Sequence, residues 1–456
     1  MTQAPVGEQA VEQLAACLRR DVLALLGMAG VGAAAGLVPG SALAQSPGQG
    51  AGQGAGQGAP PAGGTALLPW ESYVEMLKPA GNLVGQTFFP GDEQVRAELY
   101  RQLVMNIAQG YIWYFQSTPD HPDWMPFENS IFLLQPNPDG IYHLAPVVGS
   151  GIYRIKGFRG NNRLMGFAVG RGMLGTEGHG PGFQNYDADA LTLGPDGAFE
   201  VIFSTERPAG WNGDWLYLHP EAGNILVRQF SYDWGVEQEG RFAIERVDRP
   251  ALKPRLTVAE IAHGLQQTLG SFTRRFSNFT LNYQNKVARD LGLNRMELTG
   301  FEDMGNSKTW PQKYWRCIYD VNPGEALIVE TDLPKTVKYW NVQINDVLWN
   351  QVEYGYRQSS LNGHQARLDA DGRFRAVITS GEDPGVPNWL DTAGNTRGML
   401  VGRWNTADTH PLPTLRKVPL AEVRRNLPAD TPHVSAQQRD AALRERNFGL
   451  QMRRRW

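Results

Sequence analysis

The chain of 456 residues carries 43 Lys and Arg against 46 Asp and Glu, which gives a net charge of -3 and a pI near 6.3. This balance excludes a global electrostatic attraction to nucleic acid or to an anionic membrane. The two cysteines exclude a fold held together by several disulfides, while 52 Gly, 30 Pro and 13 Trp favour a turn-rich β-protein over a helical bundle.

Residues 1–44 have the pattern of a twin-arginine signal peptide. An Arg-Arg pair at 19–20 precedes a mildly apolar stretch at 24–38, and the small residues of 41–44 supply a cleavage point. The apolar stretch is shorter than the roughly 20 residues of a membrane-spanning helix and is diluted by glycine. We therefore expect recognition by the twin-arginine export machinery, cleavage after residue 44, a periplasmic or secreted location, and no transmembrane segment in the mature form.

Residues 45–64 are dominated by Gly, Gln and Ala and predict a flexible linker, so that the folded body begins near Thr65. Removal of the signal peptide would take Cys17 with it and leave Cys317 as the single cysteine. Cys317 lies in an apolar and aromatic run, where a buried and unreactive thiol is the expected state. We expect no intramolecular disulfide in the mature protein.

The segment 65–129 is predicted to be helical, because apolar residues recur at every fourth position between 92 and 117. Such a stripe is typical of an amphipathic helix whose role is packing. Its residues are Val95, Leu99, Leu103, Ile107, Tyr111 and Phe115.

Between 130 and 255 the pattern changes to short β-rich runs separated by turn signals, such as the Asn-Pro-Asp-Gly segment at 137–140. The spacing of the runs is typical of a first β-sandwich or jelly roll. The runs lie at 131–134, 152–158, 164–169, 198–204, 215–218 and 225–232.

A long helical pattern occupies the connecting segment 256–310. It opens with Thr257, followed three residues later by Glu260, which is the signature of a capping box. Its apolar residues step by three or four as far as Val287, so we expect one face of the helix to be buried against the sheets.

Strand-like runs resume after this helix and predict a second β-sandwich at 311–415. The C-terminal tail at 416–456 is expected to be helical, with Ser435 as an N-cap. The basic end at 453–456 is expected to be solvated.

The runs before and after the long helix follow the same order of residues. An Asp-Gly turn, a Trp-Leu pair and a Leu-Val segment near an arginine occur in both halves, at an offset of about 174 residues. Chance agreement of common turn residues is the alternative. The repeat predicts a mainly β fold with flanking helices, in which two jelly-roll-like β-sandwich units related by internal duplication are joined by a long helix.

The stretch 325–403 resembles the bacterial domain of unknown function 1214 family in several short motifs, which are given at the end of this paragraph. Upstream, 137–142 is similar to the strand entry of the related 1254 family, which is often fused to it. The resemblance implies paired β-sandwich or jelly-roll units in an exported protein, and it implies no activity, because none is common to the family. The motifs are Tyr339-Trp340-Asn341-Val342-Gln343, Asp369-Ala370-Asp371-Gly372, Pro387-Asn388-Trp389-Leu390 and Met399-Leu400-Val401-Gly402-Arg403-Trp404.

Sequence motifs of several common enzyme classes are absent: the nucleophile elbow, the zincin helix, the paired-cysteine motif and the P-loop. None of the eight histidines has the spacing of a metal-ligand pair, so no metal site is predicted, and any cofactor is unknown. His179 lies in a glycine-rich loop and is a candidate ligand contact, with a solvent-exposed loop histidine as the alternative.

Carboxylates at predicted strand ends and loops offer acid/base chemistry. Asp139, Glu206 and Asp214 are the candidate catalytic residues, because general acid/base cleavage of a C–O bond needs two carboxyl groups that face one pocket. Arg228 is the candidate for stabilising developing negative charge. Two carboxylates also have structural interpretations, Asp139 as part of a turn and Glu206 as the ion-pair partner of an arginine.

The segment Trp211–Trp215 brings two indoles, an amide and a carboxylate together between two predicted strands. Flat aromatic faces beside hydrogen-bonding groups suit a sugar ring or another small amphipathic ligand, which makes Trp211, Asn212 and Trp215 candidate ligand contacts. A tryptophan that occurs in both halves can equally belong to the core, whereas Trp211 has no counterpart. The candidate ligand contacts of the second half are Asn388, Trp389 and Arg403.

Two functions from different classes follow from these residues. The first is an exported enzyme, glycosidase-like or a lyase, which acts on a C–O bond of a carbohydrate-like or other small amphipathic substrate by carboxylate acid/base catalysis. The alternative is a non-catalytic periplasmic protein that binds carbohydrate or another small ligand. Both predict a small molecule or a carbohydrate as the partner, and neither predicts nucleic acid.

Overall fold

A computed structural model describes residues 65–127, 136–173, 175, 176, 178, 180, 182–304 and 306–453 of the chain. The predicted signal peptide and linker, the strand expected at 131–134, His179 and the final three residues lie outside these ranges. Across the described ranges, every helix is too short or too polar to cross a membrane.

The described residues form five α-helices, and three of them begin at a side-chain cap. Asp92 caps α2 by accepting hydrogen bonds from the backbone N–H groups of Gln94 and Val95. The predicted capping boxes at Thr257 and Ser435 are both present and start α3 and α5. The helices are α1 at Trp70–Leu77, α2 at Glu93–Tyr111, α3 at Val258–Leu265, α4 at Thr273–Leu291 and α5 at Ala436–Met452.

The buried stripe of α2 differs from the predicted one. An α-helix needs steps that alternate between three and four, and a constant step of four drifts around the axis, so Tyr111 is 59% exposed. The face that is buried carries Gln102 and Asn106 in addition to the apolar Val95 and Leu99. The helix therefore packs partly through buried amides, which a search for apolar residues does not find.

The connecting helix is interrupted rather than continuous. A π-helical segment at Gln266–Phe272 separates α3 from α4. The first turns of α4 pack against α2, where the Asn106 side chain donates to the carbonyl of Thr273 at 2.7 Å and to the hydroxyl of Ser277 at 2.7 Å. The predicted burial of one face is confirmed for Phe272 and Phe276, whereas Val258 at the helix start is 64% exposed.

The described residues of the first half form two sheets from nine strands. One sheet has five strands in the order β1-β2-β8-β4-β5, and the other has four in the order β7-β6-β3-β9. Neighbouring strands are antiparallel except for β6 and β7, which are parallel. The strands are β1 at Met125–Phe127, β2 at Gly140–Pro146, β3 at Tyr153–Phe158, β4 at Leu164–Gly170, β5 at Gly182–Asp187, β6 at Ala198–Ser204, β7 at Asp214–Tyr217, β8 at Asn224–Phe230 and β9 at Arg241–Arg246.

The second half repeats this arrangement with nine further strands. Its sheets have the orders β10-β11-β17-β13-β14 and β16-β15-β12-β18, and β15 and β16 are the parallel pair. The strands are β10 at Glu297–Gly300, β11 at Gln312–Asp320, β12 at Glu325–Thr331, β13 at Val337–Asn345, β14 at Ser360–Asn362, β15 at Phe374–Thr379, β16 at Trp389–Asp391, β17 at Arg397–Ala407 and β18 at Thr414–Pro419.

The two halves have the same topology. Adding nine to every strand number of the first half reproduces both sheet orders of the second half and the position of its parallel pair. Side-chain contacts repeat as well, because the Trp215 indole donates to the Ser204 hydroxyl at 3.0 Å and the Trp389 indole donates to the Thr379 hydroxyl at 2.8 Å. The predicted mainly β fold of two duplicated sandwich units is therefore confirmed.

Each five-stranded sheet is buried on both faces. In β8, Val227 faces the core of the first sandwich, and its neighbour Leu226 faces a core shared by the two halves. In β17, Leu400 and Val401 alternate in the same way. The shared core also contains residues of α4 and of the π-helical segment. The two halves therefore meet through the outer faces of their five-stranded sheets.

The C-terminal tail is helical as predicted, with a 3₁₀ segment at Leu420–Asn426 before α5. Its basic end differs from the prediction, because Arg453 is 4% exposed. The Arg453 guanidinium donates to Glu239 at 2.6 Å and to the backbone carbonyl of Asp139 at 2.7 Å. These partners are distant in sequence, and the contact fastens the end of the chain to the first half.

Cys317 is fully buried in the core of the second sandwich. Burial raises the pKa of its thiol far above the usual range, because the thiolate would lack hydration. The predicted burial of Cys317 is therefore confirmed, and its low reactivity stays a prediction.

Candidate functional site

A cavity of about 440 Å³ is lined by both five-stranded sheets and by α4. This volume lies within the usual range of small-molecule sites. Because residues of both halves form its walls, the cavity exists only where the two duplicated units meet. Six of its aromatic residues are Tyr142, Phe279, Tyr283, Phe301, Tyr314 and Trp349.

Arg228, predicted to stabilise negative charge, lies in the cavity wall on β8. Its guanidinium donates to the amide oxygen of Asn185 at 3.1 Å and approaches that of Asn306 at 3.5 Å. The guanidinium also lies over the ring of Phe301, 5.3 Å from its centre. Arg228 is half-buried, and its charge is held by neutral groups.

Arg403, predicted as a ligand contact, lies on β17 in the wall of the same cavity and is 3% exposed. Its Nη1 donates to the amide oxygens of Asn341, at 3.1 Å, and of Gln343. The Asn341 amide nitrogen is already committed to Asn137 at 2.8 Å, so its oxygen is turned toward the arginine. The guanidinium lies 5.3 Å from the centre of the Tyr314 ring. Arg403 is thus fixed in position by its surroundings.

The two arginines occupy corresponding positions of the duplication. On β2, Tyr142 is the cross-strand partner of Arg228, and on β11, Tyr314 is the cross-strand partner of Arg403. Each half therefore contributes one tyrosine–arginine pair to one cavity. The sequence repeat contains both arginines, whereas the pairing of each arginine with a tyrosine can be recognised only from the register of the strands in the structure.

Neither guanidinium has a counter-charge within the described part of the chain. The described side chains that accept hydrogen bonds from them are amides and, for Arg403, the hydroxyl of Tyr314, and neither arginine forms an ion pair there. Among the described lining residues Asp303 is the sole carboxylate, and its oxygen accepts from the backbone N–H of Gly300 at 2.7 Å. That backbone hydrogen bond is the main reason why the pKa of Asp303 is lowered. The electrostatics of the described walls therefore favour an anion.

An aromatic stack that sequence reasoning missed closes one side of the cavity. Trp349 follows β13 and lies against Tyr283 of α4, with ring centres 4.2 Å apart and an interplanar angle of 22°. Trp349 has a φ of +68°, which is rare outside glycine. Asp346 holds this loop by accepting from the backbone N–H groups of Leu348 at 2.8 Å and Asn350 at 2.9 Å. The loop thus presents an indole face at the cavity.

A second concave site, which we call the groove, brings together three of the predicted residues. It encloses about 990 Å³ and is lined by Trp211, Asn212 and Asp214, with Glu200 as a further carboxylate. Both oxygens of Asp214 accept from Thr192, at 2.6 Å from its backbone N–H and at 3.1 Å from its hydroxyl. The Trp211 indole donates to the carbonyl of Asp214 at 2.8 Å. The groove is open to solvent and lies on the four-stranded sheet of the first half.

Asp139 lies apart from the cavity and the groove. It is 1% exposed at the start of β2, and its carboxylate accepts from Tyr339 at 2.7 Å, from Asn362 at 2.6 Å and from Trp234 at 2.9 Å. Burial raises the pKa of Asp139, and these donors oppose the shift. Asp139 therefore connects the first half to the second, and the described walls of the two concave sites do not include it.

The remaining predicted contacts lie outside both sites. Glu206 is exposed in the loop after β6, and Trp215 is half-buried with its indole bound to Ser204. Asn388 is buried, and its amide donates to the carbonyl of Arg367 at 2.6 Å. Trp389 is 6% exposed in a small core of the second half. The contacts of Asn388 and Trp389 are structural ones within the second half.

Metal ligation finds little support in the part of the chain that the structure describes. There, no group of three or more His, Cys, Asp or Glu side chains is placed to hold a metal ion. The cavity walls instead combine aromatic rings, amides and two guanidinium groups, which are suited to organic ligands.

Comparison with known proteins adds a structural neighbour. No protein-family model and no curated protein matches the chain. The fold is similar to that of an uncharacterized protein from Burkholderia cenocepacia, with 27% sequence identity, a TM-score of 0.69, and coverage of 77% of this chain and 97% of that one. A protein from Vibrio parahaemolyticus aligns at 11% identity over 74% of this chain and 100% of its own, with a TM-score of 0.39.

Proposed function

We propose that the protein binds a small amphipathic anion in the cavity between its two halves. The observation that carries the proposal is the pair of arginines from corresponding strands, Arg228 and Arg403, which face one aromatic cavity without a carboxylate partner among the described residues. This function belongs to the second of the two predicted classes, the binding of a small ligand.

The cost of burying charge supports this proposal. A guanidinium removed from water loses hydration, and amide oxygens compensate for only part of that loss. Arg403 is 3% exposed and has neutral hydrogen-bond partners. An anionic ligand would restore the missing counter-charge through hydrogen bonds that are stronger than those between neutral groups. The aromatic walls would at the same time bury the apolar body of that ligand.

Acid/base catalysis has less support at the cavity. The predicted enzyme requires two carboxyl groups at one site, and the described cavity walls supply Asp303 alone. Binding is therefore the function that we propose first.

The groove supports a second candidate function, the binding of a carbohydrate-like molecule. Its walls combine the Trp211 indole with two carboxylates, Glu200 and Asp214. An aromatic face beside hydrogen-bonding groups suits a sugar ring. Periplasmic or secreted location, twin-arginine export and membership of the 1214 family stay predictions from the sequence.

The anion proposal can be tested with 8-anilinonaphthalene-1-sulfonate, an aromatic anion that fluoresces in apolar surroundings. We expect saturable binding, and we expect Arg403→Gln to weaken the affinity by about tenfold or more, because a charge-assisted hydrogen bond is lost. Fluorescence titration of the purified protein measures both.

Two further variants make the result interpretable. Arg444→Gln removes an exposed arginine of α5 and should leave the affinity unchanged. Arg403→Lys keeps the positive charge, so it should bind more tightly than Arg403→Gln if charge is what the dye recognises. Equal affinity of the native protein and both Arg403 variants would contradict the proposal.

A further inference from the structure

The two arginines of the cavity are held by separate sets of side chains. Arg228 contacts Asn185 and Asn306, whereas Arg403 contacts Asn341 and Gln343. No residue belongs to both sets, and the two guanidinium groups differ in burial, since Arg228 is half-buried and Arg403 is 3% exposed. The cavity therefore has two cationic positions, one deeper than the other.

From this arrangement, and resting on the proposed function, we propose that the natural ligand is a two-headed organic acid. One acid group binds at Arg403, the other binds at Arg228, and an apolar or aromatic body lies between them against the ring-lined walls. The chemical class is a small dicarboxylic acid or an equivalent dianion.

A single small anion shared by both arginines fits the hydrogen bonds less well. Asn341 and Gln343 keep their oxygens toward Arg403, because their amide nitrogens donate to Asn137 at 2.8 Å and to the carbonyl of Pro136 at 3.0 Å. Moving the Arg403 guanidinium to meet an anion centred on Arg228 would leave two buried amide oxygens without a donor. A buried oxygen that loses its donor is destabilising, because neither water nor protein then satisfies it.

The duplication gives a second reason. Tyrosine–arginine pairs on corresponding strands of the two halves, Tyr142 with Arg228 and Tyr314 with Arg403, line the same cavity. Two cationic positions, one from each half, match a ligand with two acid groups. A ligand with one acid end would leave one of the two guanidinium groups without a counter-charge.

Rigid diacids of increasing length, each paired with its own monomethyl ester, test the proposal. The probes are benzene-1,4-dicarboxylate, naphthalene-2,6-dicarboxylate and biphenyl-4,4′-dicarboxylate, and their affinities are measured by displacement of 8-anilinonaphthalene-1-sulfonate and by calorimetry. At least one diacid should bind about tenfold or more tightly than its ester, because it alone engages both arginines.

The variants assign each acid group to an arginine. Arg228→Gln should reduce the affinity of the preferred diacid to that of its ester and should leave the ester within about twofold, since the remaining acid binds at Arg403. Arg403→Gln should weaken both compounds. Arg444→Gln serves as the control, and thermal unfolding of every variant establishes that it is folded.

The outcomes separate this inference from the proposed function. Suppose that dye binding still depends on Arg403, but every diacid binds no better than its ester, or no diacid displaces the dye. The two-headed ligand is then excluded, and the proposed binding of an anion stands. If inorganic phosphate binds and both arginine variants abolish it, one shared anion replaces the two-headed ligand. If the dye itself is insensitive to Arg403, the proposed function fails first. A preference for one diacid that Arg228→Gln removes would establish the inference.

Discussion

The two halves hold their cavity arginines by different means, although the strands that carry them correspond. Beside Arg403 on the neighbouring strand β13 lies Asn341, which accepts its hydrogen bond. The equivalent neighbour of Arg228 on β4 is Gly166, where a Cβ atom would lie 2.5 Å from the ring of Trp310. Beside Arg228 the indole of Trp310 therefore fills the space that the amide of Asn341 fills beside Arg403. Duplication kept the register, and the side chains that surround each arginine diverged.

The largest expected effect concerns the four-stranded sheets of the two halves, which carry the corresponding residues Trp215 and Trp389. Trp215 and Trp389 make the same hydrogen bond, but Trp389 is 6% exposed within an apolar cluster and lies under the Arg439 guanidinium, whereas Trp215 is half-buried. We expect Trp389→Ala to lower the free energy of unfolding by about 3–5 kcal/mol. Trp215→Ala should lower it by about 1–2 kcal/mol, because less surface is buried. Urea unfolding measures both.

Phenylalanine variants separate packing from hydrogen bonding at these two positions. Trp389→Phe and Trp215→Phe each remove the indole N–H and keep an aromatic ring, so their costs should be close to one hydrogen bond, about 1 kcal/mol each. If the two alanine variants lost the same free energy of unfolding, Trp215 and Trp389 would be buried to the same degree.

The loops that follow corresponding strands differ in charge. Arg171 follows β4, and Asp346 follows β13, where burial raises the pKa of its carboxyl to about 6. An unfolded carboxyl titrates near 3.8, so the stabilising contribution of Asp346 is complete below that pH and is lost as the pH rises through 6. Asp346→Asn should therefore gain about 2 kcal/mol of stability relative to the native protein between pH 4 and pH 7.

Unfolding free energies of the two proteins at both pH values test this prediction. The asparagine can still accept from the backbone N–H groups of Leu348 and Asn350, so the loop should keep its shape. A stability difference that does not change with pH would mean that the pKa of Asp346 is the same in the folded and the unfolded protein.

Local signals account for the parts of the fold that the sequence predicted well. The capping residues Thr257 and Ser435 act on backbone groups three residues away, so their pattern is visible without a structure. Repeated turns and strands likewise revealed the duplication, because each copy keeps its own local order. In the first half, β1, β5 and β9 were not among the predicted runs, since their apolar alternation is weak or brief.

The candidate site was harder to predict because its residues meet through distant contacts. Arg403 was singled out from the sequence, but its burial depends on Asn341 and Gln343 of another strand. Arg453 was expected to be solvated, and it is buried because Glu239 lies more than 200 positions away in sequence and beside it in space. Trp349 gave no signal, since its role depends on a backbone conformation that is rare for its residue type.

The smallest expected effect tests the comparison of the two arginines directly. Asn341→Asp and Asn185→Asp each place a carboxylate at the existing hydrogen-bond acceptor of one arginine, with almost no change in shape. The new charge should compete with an anionic ligand for the guanidinium. Because Arg403 is buried and Arg228 is only half-buried, Asn341→Asp should weaken anion binding by roughly tenfold and Asn185→Asp by roughly twofold.

A neutral ligand supplies the control for these two variants. The dimethyl ester of the diacid that binds best has the same body and no charge, so its affinity should change little in either variant. If both variants weakened the charged ligand equally, the two cationic positions would be equally buried when the ligand is bound. A larger effect at Asn341 would instead identify Arg403 as the deeper position, since a charge acts more strongly where water is excluded.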